Sequence, residues 1–244
     1  MKQGLFKIEE NIPLTDSVYR MRLSGDVSEI TASGQFINIK LDGHFLRRPI
    51  SVADVDKNSV TILYKVVGKG TLEMSCMKEG VLDVLTGLGN GYNIGLCGEA
   101  PLLLGGGVGI PPLYLLAKQL IAMGKAVTVI LGFNTKSEIF YENEFRVLGA
   151  KTIVTTVDGS YGIKGFVTTP MQDLSYTYFY TCGPEPMLKA IFKASRTSGQ
   201  FSFEERMGCG FGACMGCSCK TVTGYKRICK EGPVLLKEEI LWEK

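Results

Sequence analysis

The sequence predicts three consecutive parts: a small antiparallel β-barrel, a parallel α/β unit and a short cysteine-rich C-terminal part. The first follows from short alternating runs between Gly4 and about Leu96, rich in β-branched residues and separated by turn formers. The second follows from a change of pattern at Pro101, where continuous apolar strands flank a glycine turn and an apolar helix. The third follows from five of the eight cysteines, which fall between Met207 and Gly232. The expected divisions are residues 1–96, 97–200 and 201–244.

In the first part the runs LFKIEEN, VYRMRL, QFINIKL, ISVADV, VTILYKVV and VLDVL predict about six strands with no long helix between them. Asp83 to Ile94 reads as the end of this barrel and a linker, being rich in Gly and Asn. Arg47-Arg48-Pro49-Ile50-Ser51 puts two guanidinium groups at the start of a strand. Their N–H forks suit a diphosphate, and the Ser51 hydroxyl can reach a ring heteroatom. The plainer meaning is a solvated arginine pair. Leu63-Tyr64-Lys65 adds a flat aromatic surface and a cation. Gly68-Lys69-Gly70-Thr71 opens a short helix, Thr71 to Met77, whose free N–H groups can receive an anion or simply make a turn. The one histidine, His44, is expected on the barrel rim.

From Pro101 the order is apolar strand, glycine turn, helix and apolar strand, a βαβ unit with its sheet buried on both faces. Gly105-Gly106-Gly107-Val108-Gly109 lies where strand becomes helix, so the backbone there can approach a pyrophosphate. A second unit follows: a helix from about Glu138 to Leu148, a strand Thr152 to Val157, a helical piece near Thr168 to Asp173 and a strand Tyr176 to Thr181. Cys182-Gly183-Pro184 then opens a helix running to about Ser195. Ligands of such sheets bind beyond the carboxyl ends of the strands, at the Gly105–Gly109, Gly132–Thr135, Asp158–Ser160 and Cys182–Pro184 loops. After the second strand, Gly132 to Lys136 offers no acidic residue for a ribose hydroxyl, and only Lys136 for a 2′-phosphate. At a helix start Cys182 is expected to have a lowered pKa, but no histidine stands near it in sequence to make it a nucleophile.

Cys209, Cys214, Cys217 and Cys229 read C-x4-C-x2-C-x11-C, and the opening spacing is that of plant-type [2Fe-2S] loops. The glycines among them leave the backbone free to approach inorganic sulfide. A four-cysteine zinc site, usually built from two C-x2-C pairs, is the alternative. Cys219, two residues beyond Cys217 along an extended chain, should face away from the other thiols. Trp242 is expected to pack back onto the chain, with a partner surface at the cluster edge and the nearby tail as the other use of it.

Composition narrows the classes. At 244 residues with a formal net charge of +3, and with no basic run interleaved with aromatics, nucleic acid is not an expected partner. The N-terminus carries acidic residues and no signal-peptide pattern. The longest apolar stretch, Pro111 to Met123, is interrupted by Lys118 and Gln119 and is too short to span a bilayer. Eight cysteines without an export signal imply a reducing compartment, the cytoplasm.

RRPIS, LYKVVGKGT, GGGVGIPPLYLLA, DGSYGIKG, TCGPEPML and ERMGCGFGACMGCSCK together resemble the ferredoxin reductase-like flavoproteins. With the cysteine tail they are similar to the electron-transfer subunits of NAD-dependent dihydroorotate dehydrogenases, over roughly Gly4 to Glu239. That resemblance implies a flavin-binding barrel, a Rossmann-like nucleotide-binding domain and a [2Fe-2S] domain. It implies FAD on the residues matching Arg48, Pro49, Ile50, Ser51, Leu63, Tyr64, Lys65, Gly70 and Thr71, with Arg48 neutralising the diphosphate. NAD(H) would lie on the second domain, with Cys182 and Gly183 shaping the nicotinamide pocket, and Cys209, Cys214, Cys217 and Cys229 would ligate the cluster. An FMN-containing catalytic subunit would be the partner, in a hetero-oligomer such as a heterotetramer. The same layout would also serve the flavin subunit of a ferredoxin:NADP oxidoreductase or a cytoplasmic hydrogenase. A zinc-stabilised nucleotide-binding module is the non-enzymatic alternative.

Overall fold

The computed structural model describes residues 1–242. The first part comprises β1 (Lys2–Pro13), β2 (Val18–Ser24), β3 (Phe36–Lys40), β4 (Arg48–Asp56) and β5 (Ser59–Lys65), then α1 (Lys69–Cys76) and β6 (Val81–Leu88). The six strands close into a barrel in the order β1-β2-β5-β4-β3-β6, every pair antiparallel. Alternation explains the closure: Phe6, Ile8, Met21, Leu23, Ile37, Ile39 and Val84 turn inward to one core while their neighbours face outward. β6 runs through a segment expected to be partly linker, because Val81 to Thr86 pair with β1 and complete the ring. The helix after Gly68 begins two residues before the expected start.

The second part contains β7 (Pro101–Gly106), α2 (Pro111–Ala122), β8 (Thr128–Phe133), α3 (Glu142–Val147), β9 (Lys151–Thr156) and β10 (Ile163–Lys164). It continues through α4 (Thr168–Met171), β11 (Tyr178–Cys182), α5 (Glu185–Ala194) and β12 (Gly199–Ser202). All of β7 is buried, as a central parallel strand covered on both faces must be. The helix expected from Glu138 is shorter here. Phe140 and Tyr141 are drawn into the apolar core, with Tyr141 in the left-handed region (φ 64°), so the helix cannot start until Glu142.

The last part adds β13 (Ser218–Thr221), β14 (Gly224–Arg227) and β15 (Val234–Leu236). β13 and β14 form a hairpin, but β15 returns to the large sheet, whose order is β10-β9-β8-β7-β11-β12-β15, and pairs antiparallel with β12. The division expected at residue 200 therefore falls inside β12. Linker and tail are also stitched together: Asn90 donates to the carbonyls of Glu231 (3.1 Å) and Val234 (2.8 Å) and accepts from the Val234 amide (3.1 Å). Trp242 packs on Phe192, Phe201 and Phe203 with ring centroids 5.5 to 5.9 Å apart, so its indole closes the core.

Phe201, fully buried under Phe179, Phe192 and Trp242, carries this closure. Phe201→Ala is expected to cost about 3–5 kcal/mol, read as a lowered urea midpoint.

Candidate electron-transfer sites

A cleft of about 490 Å³ opens beyond the carboxyl ends of β7, β8, β9 and β11, and its far wall is the barrel rim at Thr15, Ser17, Val18 and Lys65. Gly106, Gly107, Val108 and Gly109 line it, as do Gly183 and Pro184. Gly109 is required by close approach: a Cβ there would lie 2.4 Å from the carbonyl oxygen of Cys182. Gly105 stands apart, since its own Cβ would strike Ile110, so it serves the packing of α2. The Thr155 hydroxyl, on the cleft wall, is buried with no hydrogen-bond partner among the described residues, an orphan group that a nucleotide could satisfy.

Two expectations about this cleft are corrected. Cys182 is buried, and burial pushes its thiol up to about 12, with Glu204 adding to the effect, so the helix start does not activate it. An acidic residue does reach the cleft. A 3-10 turn at Lys136–Glu138 folds the chain back, and the Asn134 amide and side chain donate to the Glu138 carboxylate at 3.1 and 2.9 Å. Lys136 instead sends its ammonium over the Tyr161 ring, 5.9 Å away. The signal was present in the sequence, six residues past Gly132, but only the turn brings it inward. Glu204, which the motifs did not pick out, also borders the cleft, and burial raises its carboxyl pKa.

On the barrel the two adjacent arginines separate. Arg47 donates to the Asp83 carboxylate through Nη1 and Nη2 at 3.0 Å, and also to the carbonyls of Asn38 and Asp83. Arg48 has no carboxylate partner among the described residues, and its guanidinium lies against Gly70 at the start of α1. Pro49, Ile50 and Ser51 follow it, half-exposed. Thr71 is buried, and its hydroxyl accepts from the Val67 amide at 2.9 Å, shaping the turn into α1. Tyr64 corrects another expectation. Its ring is buried, stacked on Tyr19 with centroids 5.8 Å apart, and its hydroxyl donates to Asn11, so it offers no flat surface to a ligand. Leu63 is buried as well, whereas Lys65 is exposed on the cleft wall.

The four cysteines converge in two pairs. Cys209 and Cys214 meet at one end, and Cys217 and Cys229 at the other. Among the described residues no three His, Cys, Asp or Glu side chains lie close enough to hold one ion. Two irons need two thiolates each, and the pairs fit that demand. Gly208 and Gly216 flank the Cys214 sulfur, where added Cβ atoms would lie 3.2 and 3.5 Å away. Burial works against ionising Cys209, yet the amides of Phe211, Cys214 and Ala213 prevail and hold it down to about 6. Burial, with Cys217 beside it, pushes Cys229 up to about 12. The loop is fastened to the barrel where Asn38 Nδ2 donates to the Cys209 carbonyl at 3.3 Å. Cys219 lies in β13, half-buried against the same apolar core as Cys217 and Cys229.

Comparison with known proteins places these features in a lineage. Residues 204–241 match the iron-sulfur cluster binding domain of dihydroorotate dehydrogenase B, and residues 103–193 match the oxidoreductase NAD-binding domain. A protein of Fusobacterium nucleatum, named dihydroorotate dehydrogenase B (NAD(+)), electron transfer subunit, is 46% identical over 96% of each chain. The chain belongs to this family of electron transfer subunits. A Geobacillus member is 43% identical over 99% of both chains. Among solved structures, an NADH-dependent reduced ferredoxin-NADP oxidoreductase chain superposes with a TM-score of 0.87 at 32% identity, over 98% of this chain and 90% of that one. A Neisseria gonorrhoeae ferredoxin NADP+ reductase with bound FAD and NADP shares the fold alone, at TM-score 0.70 and 18% identity over 80% of this chain and 90% of that one. Family membership makes the chain an NAD-dependent oxidoreductase subunit with an iron-sulfur cluster binding domain and an NAD-binding domain.

The burial of Cys182 has a direct check. With alkylating reagent at about pH 8, mass spectrometry should find exposed Cys76 modified and Cys182 untouched until the protein is unfolded.

Proposed function

We propose that this chain takes electrons from an FMN-containing catalytic subunit that oxidises dihydroorotate to orotate and passes them to NAD+ in the cytoplasm. What supports this reading is one arrangement: a paired-thiol site and a dinucleotide-shaped cleft both abut the same barrel, at Asn38 and at Lys65. Bound flavin would supply the exchange between single-electron and hydride chemistry that such a chain needs.

The chain's own residues hold and position. Cys209 with Cys214 would ligate one iron and Cys217 with Cys229 the other, in a [2Fe-2S] cluster. Arg48, with the first-turn amides of α1 at Gly70 and Thr71, would hold the FAD diphosphate, and the half-exposed Pro49 to Ser51 would border the ring system. The Gly107–Gly109 backbone at the start of α2 would receive the NAD(H) pyrophosphate. Glu138 would accept from a ribose hydroxyl and repel a 2′-phosphate, which agrees with NAD rather than NADP. No side chain is required as an acid or base.

Burial gives the cluster loop a direction. Cys217 and Cys229 are buried and Cys214 is exposed, so the first pair faces outward, beside exposed Phe211 and Met215. That outward edge, rather than the Trp242 tail, is the face for the partner, in an assembly with two copies of each subunit. A subunit of a ferredoxin-NADP oxidoreductase would differ in its partner, and the higher identity to the dihydroorotate dehydrogenase relatives, 46% against 32%, favours the first reading.

An anaerobic absorption spectrum tests the carriers. Flavin bands over a reddish-brown iron-sulfur envelope, both bleached by NADH, are expected, and a colourless zinc protein would reject the reading. Cys217→Ser should lose the iron-sulfur envelope and keep the flavin bands. Phe211→Asp combined with Met215→Glu should leave that spectrum intact but abolish co-purification of the catalytic subunit. Retained co-purification would move the partner face elsewhere.

A further inference from the structure

His44 lies on the loop between β3 and β4, next to a phenylalanine, Phe45, that is fully exposed. Its own side chain is only 16% exposed, so something draws it inward. Two hydrogen bonds do. Nε2 lies 2.8 Å from the Glu73 carboxylate of α1, and Nδ1 lies 2.8 Å from Arg48 Nη2 of β4. An arginine can only donate, so Nδ1 is the acceptor and the ring proton sits on Nε2, where it is given to Glu73. The charged groups that meet the ring are these two, and a neutral imidazole satisfies both.

Arg48 is held a second time by the Leu46 carbonyl. Its guanidinium is pressed so closely to α1 that a Cβ at position 70 would lie 2.5 Å from Nε and 2.6 Å from Nη2. The first-turn amides of α1 have no intrahelical partners and open on the same spot. The contrast with Arg47 is informative. Arg47 is anchored by a carboxylate directly, and its charge is cancelled in place by Asp83. Arg48 is anchored by a carboxylate one imidazole away, which fixes its orientation without pairing off its charge.

We infer that His44 is a positioning residue for FAD: it relays the anchorage of Glu73 to Arg48 and leaves the guanidinium charge free for the diphosphate. This rests on the reading of Arg48 as a diphosphate contact. A lone loop histidine thus does work that neither a direct Glu–Arg pair nor an unsupported arginine could do. The first would quench the charge, and the second would have to be ordered by the ligand itself.

The test is FAD titration of the flavin-stripped full chain, followed by fluorescence, with riboflavin as a probe that lacks the diphosphate. Arg48→Ala and His44→Ala should each weaken FAD by about tenfold, and the double variant should be no weaker than Arg48→Ala alone. His44→Gln should stay within about threefold of the parent, because its amide oxygen can accept from Arg48 and its N–H can donate to Glu73. Riboflavin affinity should be the same throughout. If Arg48→Ala weakens FAD while His44→Ala does not, or if His44→Gln loses as much as His44→Ala, the inference is overturned and the flavin site stands. If Arg48→Ala leaves FAD affinity unchanged, the diphosphate assignment falls and takes the inference with it.

Discussion

The seating of α2 on the outside of the barrel is the contact on which the rest of the molecule depends. Leu113, Leu116 and Ala117 share one apolar core with Val18, Ala53 and Leu63 of the barrel, and Lys118 bridges to Asp54 at 2.9 Å at its edge. α2 starts at the Gly107–Gly109 loop, so the burial that joins the two parts also presents that loop to the cleft and sets the barrel rim opposite it. Apolar burial has no direction of its own. Direction comes from close fits such as Gly109 against the Cys182 carbonyl, which permit only one seating of the loop.

Charge on the barrel is divided by environment. Two arginines adjacent in the chain, Arg47 just before β4 and Arg48 at its start, take different partners. One is consumed in holding β3 to β6 through Asp83 and the Asn38 carbonyl, and the other is held by neutral groups and keeps its charge. The same principle separates the cysteine thiols of the C-terminal part. Backbone N–H groups converge on Cys209 and stabilise its thiolate, whereas Cys229 sits where burial penalises ionisation.

Much of this was legible in the residues. Alternating runs determined the barrel and continuous apolar runs determined the parallel sheet, because each depends on local periodicity, and the cysteine spacing pointed to thiols that the fold brings together in two pairs. Tertiary structure decided what depends on distant partners. Tyr64 is held in by two neighbouring strands, its ring stacked on Tyr19 of the paired strand β2 and its hydroxyl donating to Asn11 of β1. Glu138 became part of the cleft because Phe140 and Tyr141 were pulled into the core and the chain before them had to fold back. β15 left the cysteine-rich part to extend the large sheet, because β12 offered an unpaired edge. Cys182 did not gain the lowered pKa its position suggested because burial raises its thiol pKa. His44 gained a role because α1 supplies Glu73, 29 residues further along the chain. A sequence states which side chains are available, and burial and hydrogen-bond geometry decide which of them meet.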